Sequence, residues 1–408
     1  MRCLLALSIV ALSGCGSAGE ASDRGAPAPP EAAPARANAT DTQADTRADT
    51  EADIRPAEAL SAGSAIRIPV ALEREIDAAV WRTLDAGGAP GAVVVIGRAD
   101  GVLFQRAYGR RGLEPTPQPM TLDTVFDLAS LTKAVATASS VWTLIERGRL
   151  SLDAPVVEHV PGVDPRVTVR HLLLHTSGLP AVNPLRDYEG TREEAIAAIA
   201  ELPLEHPPGA RVRYSDLGYV LLGEVVAAVS GRAFDVYARE AVFEPMGMAD
   251  TRFSPPEAWR ARIAPTERAE RRGGELIHGV VHDPRAWRLG GVSGNAGLFS
   301  TAADLTRFAQ GLLGGEHVLS PESLSAMTEP HTLPGGARAL GWDVGRVGLS
   351  ARAYGHGGYT GTSLWMDPER DVFVLLLSNR VHPDGEGDVQ PLVRALGPLA
   401  ARAAEQSR

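Results

Sequence analysis

Cysteine and lysine are nearly absent from this sequence. Cys3 and Cys15 are the two cysteines among 408 residues, and both lie within the first fifteen. A domain built by the rest of the chain therefore has no thiol for a disulfide or a metal–thiolate centre. Lysine occurs once, at Lys133, so 39 of the 40 basic side chains are arginine. Because arginine keeps its proton in proteins and a buried lysine can release it, this single amine suggests proton transfer.

Positive charge and long apolar runs are also scarce. The formal net charge is −10, and the chain has no basic cluster that could neutralise the phosphates of a nucleic acid. No apolar stretch approaches the ~18 residues that a membrane-spanning helix needs. A hydrophobic content of 44% is nevertheless enough for a large buried core. We therefore expect a globular domain with no nucleic-acid partner.

The N-terminus has the features of a targeting segment. Met1 and Arg2 give a positive start, and residues 3–12 form a short apolar run of signal-peptide length. Residues 12–15, Leu-Ser-Gly-Cys, resemble a bacterial lipobox, in which Cys15 would be acylated. An ordinary cleaved signal with an incidental cysteine is the alternative. The favoured prediction is a signal peptide over 1–14 and an exported protein held to a bacterial membrane by lipid on Cys15.

A long spacer follows the predicted lipidation site. Residues 15–66 are rich in Ala, Pro, Asp and Thr and contain almost no large apolar side chain. Such a composition cannot bury enough surface to offset the entropy of ordering, so we predict a disordered tether. A random coil of this length spans about 40 Å between its ends. The folded domain, predicted over 67–408, would then lie outside the cytoplasm.

Strands are predicted at both ends of this domain and helices between them. The predicted strands are 92–96, 102–108, 353–356, 362–366 and 372–378. Helical periodicity and capping residues fill the middle of the chain, beginning with a helix from about Ser130 to Arg147. The predicted fold class is α/β (α+β). It comprises one antiparallel sheet built from N- and C-terminal segments, flanked by helices, with an all-helical subdomain inserted at roughly 140–290.

The chemistry is concentrated at Ser130 and Lys133. Residues three apart on a helix share a face, so the Lys133 amine can reach the Ser130 hydroxyl. A serine hydroxyl is a weak nucleophile that needs a base, and lysine acts as one only where its pKa is lowered. Tyr214 is the second candidate base, since a nearby lysine cation favours the phenolate. Either Lys133 or Tyr214 could therefore take the serine proton.

Several motifs together resemble those of a known superfamily. They are Ser130-x-x-Lys133, Tyr-Ser-Asp at 214–216, His-Gly-Gly-Tyr at 356–359, and longer phrases at 169–179 and 279–304. They are similar to the serine β-lactamases and penicillin-binding proteins, on the class C β-lactamase, penicillin-binding-protein-4B-like and esterase side. The resemblance covers roughly 70–385. It implies a β-lactamase/transpeptidase-like fold and a serine hydrolase that forms an acyl-enzyme on Ser130, without a cofactor.

The same resemblance assigns a binding site. The oxyanion hole would consist of the backbone N–H groups of Ser130 and Tyr359. Gly357 and Gly358 would leave room for a substrate to lie along the strand as an added edge. His356 and Asp216 would also contact the substrate or the catalytic groups.

Two of these positions depart from the pattern of penicillin-processing members. His356-Gly357-Gly358 stands where Lys-Thr-Gly is usual, which removes a charge and a hydroxyl that hold a substrate carboxylate. His356 would supply only a partial, pH-dependent charge. Asp216 replaces an asparagine, and if it faces Lys133 it would raise the lysine pKa and leave proton abstraction to Tyr214. We expect β-lactams to acylate the enzyme slowly.

The histidines do not indicate a metal site. His171, His175, His278 and His282 match no recognised zinc spacing, so a structural role is favoured for His171 and His175. The predicted function is a lipid-anchored serine hydrolase, acting as a DD-carboxypeptidase on peptidoglycan stems or as an esterase on small acyl esters. A true β-lactamase is the alternative. A non-catalytic sensor that recognises penicillin or the cell wall is the alternative from another class, although such a protein needs no activated nucleophile. The sequence does not indicate the oligomeric state.

Overall fold

The computed structural model describes residues 68–315 and 318–407. The predicted signal peptide over 1–14, the lipidation site Cys15 and the tether over 15–66 lie outside the described residues and stay predictions. The folded part is built around one large sheet, and we describe the strands first because one of them carries part of the candidate site.

The main sheet has nine antiparallel strands, which confirms the predicted fold class. The strands of the described chain are β1 (Gly91–Arg98), β2 (Gly101–Gly112), β3 (Gln118–Pro119), β4 (Val125–Asp127), β5 (Arg252–Phe253), β6 (Arg268–Ala269), β7 (Glu275–Leu276), β8 (Leu298–Thr301), β9 (His331–Leu333), β10 (Gly336–Ala339), β11 (Trp342–Val344), β12 (Tyr354–Gly357), β13 (Ser363–Asp367) and β14 (Val372–Ser378). The order in the large sheet is β3-β2-β1-β14-β13-β12-β11-β10-β9. The N-terminal strand β1 thus pairs with the C-terminal strand β14, as the sequence predicted.

The two faces of this sheet pack against different helices. On the outer face, Trp365, Val374 and Leu376 pack in a cluster with the first and last helices, α1 (Val70–Asp85) and α10 (Gln390–Gln406). On the inner face, the alternate residues of β13 and β14 join the main core with the helices from the middle of the chain. Because both faces are covered, β14 is buried along its whole length.

Helices fill the middle of the chain. Those between α1 and α10 are α2 (Ser139–Glu146), α3 (Val169–Leu173), α4 (Arg192–Ala200), α5 (Asp216–Ser230), α6 (Phe234–Ala238), α7 (Pro284–Arg288), α8 (Ala302–Gly314) and α9 (Pro321–Thr328). Within the described ranges no single helix is long and apolar enough to cross a membrane. One bent pair, Asp216–Ser230 with Phe234–Phe243 at 77°, passes on combined length and composition.

The predicted insert is not entirely helical. Three two-residue strands, β5, β6 and β7, lie between residues 252 and 276. β5 joins β4 and β8 in a small separate sheet, and β6 pairs with β7. Strands of two residues are too short to produce a periodic pattern, so the sequence did not reveal them.

The helix predicted from Ser130 to Arg147 is built in three parts. A 3₁₀ turn over Ala129–Leu131 leads into a π-helical segment, Lys133–Ala138, and only then into α2. π-Helical segments are rare and occur frequently at functional sites. The start of this helix is tied to β8, since the Thr132 hydroxyl accepts a hydrogen bond from the Leu298 N–H at 3.1 Å.

Candidate active site

Ser130 and Lys133 lie together at the start of the helix. The Lys133 Nζ is 3.0 Å from the Ser130 Oγ, 2.9 Å from the Asn295 carbonyl oxygen and 2.7 Å from Asp216 Oδ1. Lys133 has no exposed surface. The Lys133 amine donates hydrogen bonds to Ser130 Oγ and to the Asn295 carbonyl, and it forms an ion pair with the Asp216 carboxylate. The sequence-predicted residues Ser130, Lys133 and Asp216 are therefore in direct contact.

The surroundings of Lys133 favour its charged form. Burial by itself lowers the pKa of this lysine, but the neighbouring Asp216 carboxylate and the Tyr214 phenol outweigh it and raise the pKa above the ordinary value. Asp216 is the first residue of α5 and lies two positions after Tyr214 in the chain. The inward orientation that the sequence left conditional is thus the one observed, and Lys133 is an ammonium near neutral pH.

A buried carboxylate holds the backbone just before the nucleophile. Ala129 has a φ of 46°, which is unusual for a residue other than glycine. Its N–H donates to Asp127 Oδ1 at 2.8 Å, and the other Asp127 oxygen accepts from the His282 N–H at 2.6 Å. Burial raises the pKa of Asp127 despite these two donors. Sequence reasoning missed this residue, although it directly precedes the Ser130 turn.

Tyr214 is held in place by His175. The His175 carbonyl accepts the Arg213 N–H at 2.8 Å, and its Nδ1 accepts the Ser215 N–H at 3.1 Å, so the two residues flanking Tyr214 are both bound. The imidazole also stacks on the Tyr214 ring at 4.5 Å. Burial holds the pKa of His175 well below its usual range, which keeps Nδ1 unprotonated and able to accept. A structural role was predicted for His175, and the structure shows which residues it orders.

Two cations lie close to the Tyr214 ring. The Lys133 Nζ is 5.0 Å and the Arg338 Cζ is 5.6 Å from the ring centroid. Arg338 comes from β10 and pairs with Asp343 on β11, directly across the hairpin. No sequence pattern indicates Arg338, because its approach to Tyr214 depends on how the β9–β10 hairpin lies against the residues before α5.

The loop after β12 is bound to the strand that leads to Ser130. The Thr360 hydroxyl donates to the Asp127 carbonyl at 2.7 Å, and the Thr362 hydroxyl donates to the Leu128 carbonyl at 2.9 Å. These bonds place Tyr359 beside the start of the Ser130 helix. In the described part of the chain, neither the Ser130 nor the Tyr359 N–H donates a hydrogen bond to a backbone carbonyl. Both groups predicted to form the oxyanion hole are therefore free to bind a ligand oxygen.

The paired glycines differ in how much space surrounds them. A Cβ on Gly358 would lie 2.2 Å from the Leu128 carbonyl oxygen, whereas a Cβ on Gly357 would meet nothing nearer than 3.7 Å. Gly358 is therefore required for the close approach of this loop to the residues before Ser130. Gly357 is exposed and is not required in the same way.

His356 does not have the partial charge that the sequence suggested. It is 3% exposed, and burial together with the nearby Lys133 and Arg338 cations lowers its pKa to about 3. Its Nδ1–H donates to the adjacent Gly357 carbonyl at 2.7 Å. His356 is therefore neutral near neutral pH, and the expectation of a pH-dependent charge for a substrate carboxylate is wrong.

The other histidines that were considered for a metal site each make separate structural contacts. His171 takes part in the capping of α3, His278 contacts the Ile263 carbonyl at 3.0 Å, and His282 lies 3.2 Å from Glu267. Within the described residues no group of three or more His, Cys, Asp or Glu side chains is arranged to hold a metal ion.

Comparison with known proteins gives consistent matches over the folded region. The family model described as Beta-lactamase matches residues 72–397. An N-acetylmuramyl-L-alanine amidase of Bacillus subtilis (strain 168) is 30% identical over 359 residues, 76% of this chain and 81% of the relative. A putative D-alanyl-D-alanine carboxypeptidase of Escherichia coli O157:H7 is 30% identical over 362 residues, 76% of this chain and 82% of the relative.

A solved structure shares the architecture. It is the octameric penicillin-binding protein homologue from Pyrococcus abyssi, with a TM-score of 0.66 and 26% identity, covering 79% of this chain and 76% of that one.

Proposed function

The chain belongs to the β-lactamase family and is a serine hydrolase, and we propose that it acts through an acyl-enzyme on Ser130. The observation that carries this proposal is the 3.0 Å contact between the Ser130 hydroxyl and the buried Lys133 amine. A serine without a catalytic role does not require a buried amine beside it, whereas a nucleophilic serine needs a neighbouring group that promotes the loss of its proton.

The proposed reaction has two halves. Ser130 Oγ attacks the substrate carbonyl carbon while its proton passes to the base, and the carbonyl oxygen becomes an oxyanion held by the Ser130 and Tyr359 N–H groups. The bond to the leaving group then breaks, and that group takes the proton from the base. Water attacks the acyl-enzyme in the second half, and the acid product and free Ser130 are released.

We assign the role of base to Tyr214. An ammonium cannot accept a proton, and the raised pKa of Lys133 keeps it in that form near neutral pH. The Lys133 and Arg338 cations, 5.0 and 5.6 Å from the Tyr214 ring, would stabilise negative charge as it develops on the tyrosine oxygen. Lys133 would then act electrostatically. Transfer of its proton to Asp216, which would free Lys133 itself to act as the base, is the competing route.

The favoured substrates are amides of peptidoglycan stem peptides. One relative is named an N-acetylmuramyl-L-alanine amidase and another a putative D-alanyl-D-alanine carboxypeptidase, and each is 30% identical to this chain. Both names describe enzymes that cleave an amide bond. DD-Carboxypeptidase-like activity is therefore the first candidate.

Esterase activity on small acyl esters is the second candidate, and one observation favours it. The neutral, buried His356 stands where a positive charge would hold a substrate carboxylate, and Arg338 is already paired with Asp343. Substrates whose carboxylate must be held, including β-lactams, should react slowly for this reason.

Steady-state kinetics on three substrates test these assignments. We would measure kcat/KM for a D-Ala-D-Ala peptide, a p-nitrophenyl ester and a penicillin, with Ser130→Ala as the control. We expect turnover of the peptide or the ester that depends on Ser130, with penicillin the slowest. Absence of Ser130-dependent turnover on all three would support a non-catalytic sensor instead. Penicillin turnover equal to that of the best substrate would contradict the argument from His356.

We also propose that the enzyme is exported and anchored by lipid on Cys15, a proposal that rests on the lipobox-like sequence alone. Cys15→Ser should release active enzyme from the membrane fraction. Recovery of the wild-type protein in the soluble fraction, with an N-terminus other than Cys15, would contradict it.

A further inference from the structure

A cavity lies beside the loop that carries Tyr359 and extends to Trp365 on the outer face of the sheet. Its volume is about 330 Å³, at the lower end of the range for small-molecule sites. The lining residues come from β11 to β13, from the loop after β14 and from the start of α10. Those used below are Asp343, Arg346, Trp365, Arg380, Gln390 and Val393.

Arg346 has no acidic partner among the residues that the structure describes. Its guanidinium is partly buried and lies 5.3 Å from the centroid of the Trp365 ring, and its Nη2 is enclosed without a hydrogen-bond partner. Burial lowers the pKa of Arg346, and the positive charge of the nearby Arg394 lowers it further. A partly buried guanidinium without a counter-ion favours the binding of an anion beside it.

The other charged groups of the cavity are already engaged. Asp343 pairs with Arg338, so its carboxylate does not serve Arg346. Arg380 donates to the Tyr359 and Gly387 carbonyls, each at 2.7 Å, and its guanidinium lies over the Tyr359 ring. The lining therefore carries a net positive charge, with Arg346 as the group that has free donors.

The cavity is apolar on the side next to Arg346. Trp365 and Val393 line it there, and both also border a smaller hollow that continues between β14 and α10 over Val374, Leu376 and Leu396. A ligand here would meet a cation at one end and apolar side chains at the other. A free inorganic ion would use only the first of these features.

We propose that this cavity is a binding site for a small organic carboxylate, with its carboxylate on Arg346 and its apolar part against Trp365 and Val393. A planar guanidinium can hold a carboxylate through two parallel hydrogen bonds, and no carboxylate of the described residues pairs with Arg346. The cavity volume limits the occupant to a small molecule, of the size of an aromatic or branched-chain acid. Gly357, Gly358 and Tyr359 also line this cavity, so it adjoins the loop predicted to complete the oxyanion hole, whereas Ser130 is not among its lining residues.

Calorimetric titration with sodium benzoate tests the proposal on the folded enzyme. Wild type should bind benzoate saturably. Arg346→Gln should weaken binding about tenfold or more, because a charged hydrogen-bonding partner is removed. Arg352→Gln is the matched control, since Arg352 is a nearby exposed arginine that pairs with Glu329 at 2.8 Å. That variant should bind benzoate like wild type.

Two other probes separate the parts of the proposal. Benzamide, which has the same ring without the charge, should bind at least several-fold more weakly than benzoate. Inorganic phosphate, which has the charge without the ring, should also bind more weakly. Equal binding of benzamide would overturn the role of Arg346, and equal binding of phosphate would overturn the role of the apolar side.

A second variant guards against misfolding of the first. Gln390→Glu places a negative charge at the exposed first turn of α10, where an acidic residue is tolerated by the helix dipole. It should weaken benzoate binding several-fold by repulsion. Unchanged binding in both Arg346→Gln and Gln390→Glu, or equal loss in Arg352→Gln, would overturn the proposal. Ester hydrolysis by each variant, compared with wild type, reports separately on Ser130.

Discussion

Lys133 and Arg346 are two cations in different surroundings: Lys133 is fully buried beside Ser130, whereas Arg346 is half-buried against Trp365. Lys133 donates hydrogen bonds to two oxygen atoms and forms an ion pair with the carboxylate of Asp216 at 2.7 Å. Arg346 has an aromatic ring beside it and an enclosed nitrogen without an acceptor. The first cation is fixed by the fold, and the second is left with free hydrogen-bonding capacity.

The two environments shift the pKa values of the two cations in opposite directions. A counter-ion at 2.7 Å outweighs the effect of burial, so Lys133 keeps its proton and holds a permanent charge beside Ser130. Without a counter-ion, burial acts unopposed on Arg346 and lowers its pKa. Arg346 still keeps its proton, so its charge can be neutralised by an anion from outside the chain. The loop of Gly357 to Tyr359 lies between these two regions.

Replacement of the lysine itself should have the largest effect. Lys133→Arg keeps the charge but has a larger head group that does not fit among Ser130, Asp216 and Asn295, and it cannot release a proton. We expect acylation to fall by about 10³-fold, because the larger guanidinium moves Ser130 and the positive charge away from the geometry that assists Tyr214. Pre-steady-state release of p-nitrophenol measures this directly. Near-normal acylation would exclude proton transfer by Lys133 and would leave it a purely electrostatic role.

Disruption of the loop between the two regions should have the next largest effect. Gly358→Ala places a methyl group 2.2 Å from the Leu128 carbonyl oxygen, so the loop must move and the Tyr359 N–H must shift with it. Loss of one oxyanion donor costs about 10²–10³-fold in kcat. Gly357→Ala is the matched control, because its methyl group meets nothing nearer than 3.7 Å. Equal kcat values for the two variants would contradict a role for this loop in the oxyanion hole.

Removal of the counter-ion should leave Lys133, like Arg346, without a carboxylate beside its charge. In Asp216→Asn, burial would act on the lysine with less opposition, and its pKa should fall. If Tyr214 is the base and the ammonium is needed, the alkaline limb of the pH profile of kcat/KM moves to lower pH. If neutral Lys133 is the base, the acid limb moves to lower pH instead, and activity near neutral pH rises. The direction of the shift therefore separates the two routes, and the first result is the one expected.

Replacement of His356 should have the smallest effect, a change in the free energy of unfolding that appears at acid pH. Its pKa is about 3 in the folded chain against an ordinary value of 6.5, so between these values the unfolded chain binds a proton that the folded chain does not. The stabilisation from neutral His356 is complete above pH 6.5 and is lost as the pH falls towards 3. Wild type should lose up to about 1.4 kcal/mol of unfolding free energy per pH unit more than His356→Gln. Urea unfolding at several pH values measures this, and parallel curves for the two proteins would contradict it.

The sequence predicted the sheet and the close grouping of the catalytic candidates well. The predicted strands that alternate or run continuously apolar occur where they were expected. The three-residue spacing predicted the contact between Ser130 and Lys133, and this is a local pattern of the kind that a single sequence reveals. The resemblance to the family, and not a local pattern, indicated that Asp216 could face Lys133.

Features that depend on distant contacts were not predictable in the same way. Arg338 reaches Tyr214 only because the β9–β10 hairpin lies against residue 212. The depressed pKa of His356 follows from its burial, and the sequence around it shows only a His-Gly-Gly motif. The strands of two or three residues at the sheet edge, such as β9 and β11, lack a pattern of their own. In each case tertiary packing supplied the information.

The most direct test of the central claim is the detection of an acyl group on Ser130. Wild-type enzyme would be mixed with a p-nitrophenyl ester, quenched in acid and examined by intact-protein mass spectrometry, followed by peptide mapping. We predict one acyl group per chain, located on the peptide that contains Ser130, and none on Ser130→Ala. Labelling of Ser130→Ala to the same extent, or an acyl group mapped to another residue, would contradict the account.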